Sequence, residues 1–176
     1  MRGTTFLLLG VQPLLGEAVM NTTTLTRAEV KEAIDTYFTA TLTNKPELIT
    51  SDLTDKISLG VTTDLQLRDY LMGLVDDHTL VNATKVVEAM LYELPEGNRR
   101  SLYCVLSAYS YEAGDKNRAI AHLTSALDED AEYPLAKLLT RVYKAEWPFN
   151  SFAEMRGSCH PKVVEGLDDR VIDPRT

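Results

Sequence analysis

The amino-acid sequence predicts an all-α fold, a compact bundle of about six to eight helices. Two observations lead to this prediction. Apolar residues recur at three- and four-residue spacing along most of the chain, which places them on one face of a helix. Several of these stripes begin or end at residues that cap helices, most clearly at Thr26 and Glu29 and at Gly114 and Asp115.

The most regular pattern predicts a helical hairpin over residues 101–128, with a third helix behind it. Gly114 can adopt the left-handed conformation that ends the first helix, and Asp115 can cap the second. Pro134 suits the first turn of the third helix. The two apolar stripes of the hairpin are Leu102, Val105, Leu106, Tyr109 and Ala113, then Ala119, Ile120, Leu123, Ala126 and Leu127.

The segments before the hairpin predict further helices. Thr26 and Glu29 form a capping box that opens one of them. A short helix is expected near residues 48–60, although the β-branched content of 57–63 also permits a strand. The next helix is apolar on most sides, so we expect it to be the buried helix of the bundle, with the charged pair Arg68 and Asp69 within it. Another helix is expected to end near Pro95.

The final part of the chain gives weaker signals. Phe152 and Met155 indicate one more helical turn, and Cys159 and His160 fall in a segment that we interpret as a loop. We divide the chain into an apolar arm and linker at 1–24, one helical domain at 25–166, and an acidic tail at 167–176. The arm resembles a signal peptide in outline, but Gln12 and Pro13 interrupt it. We therefore expect the arm to pack on the body or to contribute to a homodimer.

Composition argues against several classes of function. The net charge of −8 disfavours nonspecific nucleic-acid binding, which needs concentrated Lys and Arg. No apolar stretch is long enough to span a membrane. The two cysteines, Cys104 and Cys159, do not suggest a disulfide framework, so we expect a cytoplasmic protein.

Motifs for catalysis or metal binding are weak. The sequence has no Gly-rich phosphate loop, no His-Glu-x-x-His and no Cys-x-x-Cys, so we expect no cofactor and no metal. Cys159 and His160 are adjacent, and adjacent residues seldom form a nucleophile–base pair. Carboxylates beside a histidine, from Asp69 through Asp76 and Asp77 to His78, leave open a small-ligand or enzyme site.

The hairpin resembles one tetratricopeptide-type repeat, matched at Leu106, Gly114, Ala119, Leu123 and Ala126. No second copy is visible, so the chain is not a repeat array. Hairpins of this type bind peptides on the inner face of the first helix. The resemblance therefore implies a partner-binding face at Ser101, Cys104, Ala108, Tyr111 and Glu112.

Residues 60–150 also resemble the C-terminal half of the DUF4192 family, a domain of unknown function. The resemblance rests on Arg68-Asp69, the Gly114-Asp115 turn, Ala126-Leu127, the run from Tyr133 to Leu139, and the Trp147-Pro148 corner. Such proteins occur in actinobacteria and their phages, so the resemblance implies a fold and an origin but no activity. Together, these observations favour a non-enzymatic protein–protein interaction module, and the family resemblance raises the hypothesis of a phage-encoded protein that binds a host protein. The alternative is a small-ligand-binding protein or enzyme with a site near Asp69–His78.

Overall fold

The computed structural model describes residues 24–75 and 78–172, and most of this part of the chain is helical. It contains eight α-helices among those residues, with a 3-10 turn at Pro46–Leu48. The all-α prediction is confirmed. The helices are α1 Arg27–Leu42, α2 Ser51–Thr63, α3 Leu65–Gly73, α4 Leu80–Glu93, α5 Arg100–Glu112, α6 Lys116–Glu129, α7 Pro134–Lys144 and α8 Ser151–Glu165.

The capping box that opens α1 is confirmed. The Thr26 hydroxyl accepts a hydrogen bond from the amide of Glu29 at 3.2 Å, and the Glu29 carboxylate accepts one from the amide of Thr26 at 2.8 Å. The backbone bond to Thr26 holds the pKa of Glu29 below its usual value. The apolar face of α1 then packs into the core through Val30 and Ile34, both fully buried.

The hairpin of α5 and α6 forms where the sequence predicts it. Gly114 joins the two helices at φ +83°, the left-handed conformation that favours glycine. The Asp115 side chain accepts a hydrogen bond from the amide of Arg118 at 2.9 Å and so caps α6. Ala119 and Ala126 are fully buried, and their small side chains let the two helices approach closely.

The central helix is α5, whereas the sequence led us to expect α3. Ten of the 13 residues of α5 are buried, against four of nine in α3, so the prediction for α3 is wrong. The sequence did not indicate how deeply α5 is buried, because several of its buried residues are serines, which are mostly exposed in proteins. The Ser107 hydroxyl, for example, is buried and donates to the carbonyl of Ala119 at 2.7 Å, while lying 2.8 Å from the Tyr143 hydroxyl. Buried hydroxyls are stable when they are bonded in this way.

Two clusters of buried side chains meet at α5. One joins α5 to α1–α4 through Leu102, Val105, Leu106 and Tyr109, and the other joins it to α6–α8 through Cys104, Ala108 and Tyr111. The helix therefore buries one face against each half of the bundle. The second cluster covers the face that an isolated hairpin would expose.

Three segments differ from their predictions. Residues 57–63 belong to α2 and form no strand. The segment around Cys159 and His160 is helical, within an α8 that continues through Pro161. Residues 167–172 are part of the domain, because Leu167 and Ile172 are buried in the core and the amide of Ile172 donates to the carbonyl of Leu25 at 2.8 Å.

Other predictions fall on residues outside the described ranges. These are the arm at 1–23, the carboxylates Asp76 and Asp77, and the end of the tail at 173–176. Within the described ranges, no helix combines the length and apolarity needed to cross a membrane.

Candidate functional site

A pocket of about 250 Å³ opens where α3, α5, α7 and α8 meet. Its walls are mainly apolar, and five polar side chains also line it. The apolar lining consists of Met72, Gly73, Ala108, Tyr109, Leu135, Leu138, Phe152, Met155 and Val163. The polar lining consists of Arg68, Asp69, Arg156, Cys159 and His160.

Helix α3 contributes the first charged pair of the pocket. Asp64 caps this helix by accepting hydrogen bonds from the amides of Gln66 and Leu67. Arg68 then donates to one oxygen of Asp69 through two nitrogens, at 2.9 and 2.6 Å. The Asp69 side chain is 43% exposed, so its carboxylate stays accessible at the pocket edge.

A second charged pair joins α5 to α8 and is more deeply buried. Arg156 donates to the two oxygens of Glu112 at 2.5 and 2.8 Å. The two side chains are only 10% and 13% exposed. A buried, bidentate pair of this kind holds both side chains in place. Glu112 is therefore already engaged inside the protein.

His160 closes one wall by packing against α3. Its ring stacks on Tyr70 with centroids 5.8 Å apart, and the side chain is only 7% exposed. A Cβ on Gly73 would lie 1.7 Å from Nδ1 of this ring, so the contact requires glycine at that position. Nδ1 is buried and has no hydrogen-bond partner among the residues that the structure describes. We interpret His160 as a packing residue of the pocket wall.

Cys159 does not form a nucleophile–base pair with its neighbour His160. The Cys159 side chain is exposed, whereas the histidine is buried. The Cys159 sulfur lies 3.8 Å from the Ser158 hydroxyl. Adjacent residues of one helix point in different directions, and these two follow that rule.

The partner-binding residues that the sequence predicts lie mostly in the interior. Ser101, Cys104, Ala108 and Tyr111 are buried, and Glu112 is paired with an arginine on α8 as described above. Of the five, only Ala108 borders the pocket. The predicted face is therefore covered by α7 and α8 in this conformation.

The contacts of the predicted face explain this burial. The Ser101 hydroxyl lies 2.9 Å from the Tyr133 hydroxyl at the start of α7. Tyr111 stacks on Tyr143 with centroids 4.4 Å apart and donates to the carbonyl of Trp147 at 2.6 Å. Burial also raises the pKa of the Cys104 thiol to about 12, which keeps it protonated at neutral pH.

The two described residues of the alternative site, Asp69 and His78, do not come together. Asp69 borders the pocket, but the ring of His78 stacks on Phe38 of α1 at 5.2 Å, outside the pocket lining. No group of three or more potential metal ligands occurs in the part of the chain that the structure describes.

The α8 wall of the pocket is the part that sequence reasoning missed. Phe152, Arg156, Cys159 and Val163 follow one another at spacings of four, three and four, which is the signature of one helical face. Pro161 obscured this signal, because a proline usually marks the end of a helix.

Comparison with known proteins gives a family. A family model described as a domain of unknown function (DUF4192) matches residues 18–148. The chain belongs to the DUF4192 family. The match begins well before residue 60, where the resemblance in the sequence was first apparent. No curated protein and no solved structure matches the chain. The DUF4192 match covers α1–α7 and ends before α8, so it contains three of the four helices that form the pocket.

Proposed function

We propose that the chain is a non-enzymatic binding module that holds an apolar segment of a partner protein in the pocket between α3, α5, α7 and α8. The observation that supports this proposal is the rim of the pocket. Leu138 on α7 and Met155 on α8 both border the pocket and are each 47% exposed. Exposed apolar side chains around an apolar concavity are typical of a protein-binding surface.

The size of the pocket favours a side-chain anchor. An apolar cavity of about 150 Å³ accommodates a benzene ring. The 250 Å³ here therefore suits one aromatic or two branched aliphatic side chains. Sites for small molecules usually measure roughly 300–1,000 Å³. The pocket is thus better matched to an anchor residue than to a complete ligand.

The lining can adapt to such an anchor. Met72 and Met155 are unbranched and polarizable, and methionine is common on surfaces that accept varied apolar partners. Asp69, at the edge, can accept a hydrogen bond from the backbone of the bound segment or attract a basic residue beside the anchor. These features favour a short segment with an apolar anchor and a neighbouring Lys or Arg.

A small apolar ligand is the second candidate, since the pocket is concave and Asp69 stands at its mouth. The two candidates differ in what they need from the rim. A small molecule would rest inside the pocket, whereas a protein segment must also cross Leu138 and Met155.

Selection of a displayed peptide library on the folded protein tests the proposal. We expect peptides with a large apolar anchor to be enriched and to lose at least about tenfold in affinity on Leu138→Glu, because the charge blocks the rim. Ile120→Glu on α6 is the matched control, since Ile120 is 53% exposed and lies outside the pocket lining. Peptides that bind both variants equally, or no enrichment at all, would refute the proposal.

Methionine methyl resonances provide an independent measurement. N-acetyltryptophanamide serves as a probe of the anchor, and its ring current should shift the methyl signals of Met72 and Met155. Met90 is fully buried in the other core cluster, so its signal should stay constant. Shifts from the probe together with a failed peptide selection would favour the small-ligand alternative.

A further inference from the structure

The outer face of α4 carries the two most exposed large apolar side chains in the described part of the chain. Tyr92 is 83% exposed and Val81 is 77% exposed. Lys85 and Glu88 stand between them, at spacings of four, three and four along the helix. This spacing places all four side chains on one narrow line. We call Val81, Lys85, Glu88 and Tyr92 the α4 stripe.

The α4 stripe is symmetric about its own centre. Positions 81 and 92, and positions 85 and 88, lie at equal distances from the point between residues 86 and 87. If a second copy of the helix is placed antiparallel about a two-fold axis at this point, each valine faces a tyrosine. Each lysine then faces a glutamate. Apolar meets apolar and positive meets negative on both sides of the axis, which is the condition for an isologous interface.

A groove beside the stripe strengthens the match. It measures about 330 Å³ and lies between α4 and the α5–α6 turn. Its border includes Val81, Lys85 and Glu88 of the stripe, together with Leu80, Thr84 and Ala113. Tyr92 lies eleven residues beyond Val81, which is about 16 Å along the axis of an α-helix. The antiparallel arrangement brings the tyrosine of each copy over the groove of the other. Aromatic anchors that enter a concavity on the partner commonly dominate the binding energy of an interface.

We propose that the α4 stripe is a self-recognition surface through which two copies of this chain form an antiparallel, two-fold dimer. Glu88 already pairs with Arg118 of its own chain, and a carboxylate has acceptor positions for a second cation. Lys85 of the second copy supplies it. The proposal is independent of the binding pocket, because α4 contributes no residue to that pocket.

The dimer is expected to be weak. The stripe and groove offer less area than the roughly 1,200–2,000 Å² of a standard stable interface. Two chains of net charge −8 also repel each other. At about 0.15 M salt the screening length is about 8 Å, so most of the repulsion between the two chains is screened. The attraction between Lys85 of one copy and Glu88 of the other acts at contact distance and is less affected. The dimer should therefore appear at high protein concentration and moderate salt.

Sedimentation equilibrium of the full chain tests the proposal through charge reversal. In Lys85→Glu, carboxylates face each other across the axis, and in Glu88→Lys, ammonium groups do. Each variant alone should dimerise at least about tenfold more weakly than the wild type. An equimolar mixture should recover the dimer, because the mixed pair restores opposite charges at both contacts. Recovery on mixing cannot result from loss of folding.

Two more variants separate this interface from others. Tyr92→Ala should weaken the dimer, whereas Leu65→Gln should not, since Leu65 is an exposed apolar residue of α3, 65% exposed. The proposal is overturned if the wild type stays monomeric at the highest protein concentration that can be sedimented. It is equally overturned if the equimolar mixture of Lys85→Glu and Glu88→Lys fails to form a dimer. It is also overturned if Leu8→Asp in the N-terminal arm abolishes a dimer that Lys85→Glu leaves intact.

Discussion

Replacing Tyr111 with alanine tests whether this side chain belongs to the core or to a binding face. Tyr111 is 1% exposed and contacts the rings of Tyr143, Phe149 and Phe152, with the closest pair of centroids 4.4 Å apart. Its hydroxyl donates to the carbonyl of Trp147 at 2.6 Å. If these contacts hold, the variant should lose stability. If the residue serves a partner, the variant should lose binding and keep its stability.

The magnitude follows from the contacts. Truncating a buried aromatic side chain to alanine costs about 3–5 kcal/mol, from lost transfer energy and the cavity that remains. Tyr111→Phe keeps the ring and removes only the hydroxyl bond, at a cost of about 1 kcal/mol. Trp147 is half-exposed, so water can approach the region of the freed carbonyl. A loss of about 4 kcal/mol corresponds to a fall in Tm of about 8–16 °C for a chain of this length.

Urea unfolding followed by circular dichroism measures both variants. Tyr92→Ala is the matched control, because this tyrosine is 83% exposed. Its free energy of unfolding should change by no more than about 0.5 kcal/mol at low protein concentration. The reasoning is refuted if Tyr111→Ala lowers the free energy of unfolding by less than about 1 kcal/mol at an unchanged slope. Equal effects of the alanine and phenylalanine variants would also refute it.

Three further predictions concern the interior. Glu112→Ala should cost about 3–5 kcal/mol, as measured by urea unfolding, because it removes the buried carboxylate that accepts two hydrogen bonds from Arg156. Gly73→Ala should lower Tm, since its Cβ would lie 1.7 Å from an imidazole nitrogen, whereas Gly157→Ala should not, because that position has open space and alanine favours helices. Since burial raises the pKa of Cys104 to about 12, a thiol reagent at pH 8 should label one thiol in the folded chain and two in urea. The associated stability is complete below pH 9 and is lost as the pH rises toward 12.

The elements predicted correctly are those with local signals. The capping box at Thr26 and the turn at Gly114 and Asp115 each lie within a few residues of the helix they begin or end. The local sequence is therefore enough to determine where these helices begin and end. The charged pair Arg68 and Asp69 was also recognised from the sequence, and it lies at the edge of the candidate site.

The elements missed depend on contacts between distant residues. Helix α8 continues through Pro161 while His160 packs on α3 and Val163 packs against the core. Such packing can outweigh the cost of one lost backbone bond. The end of the domain was missed for a similar reason. Leu167 and Ile172 lie among acidic residues in the sequence, so their burial was not predicted. The backbone of this segment forms hydrogen bonds with residues near the start of α1, which are distant in the sequence.

The relation between the hairpin and its covering helices determines how binding can be tested. The inner face of an isolated hairpin would be open, but here it is filled by Tyr133, which caps α7, by Tyr143 of α7 and by Phe152 of α8. A substitution at Tyr111 that abolishes partner binding therefore has two explanations, loss of contact and loss of fold. A substitution at Leu138 has one, because that side chain is half-exposed and the core beneath it stays intact. The pocket between α3, α5, α7 and α8 is thus the place where a loss of binding can be attributed to a lost contact.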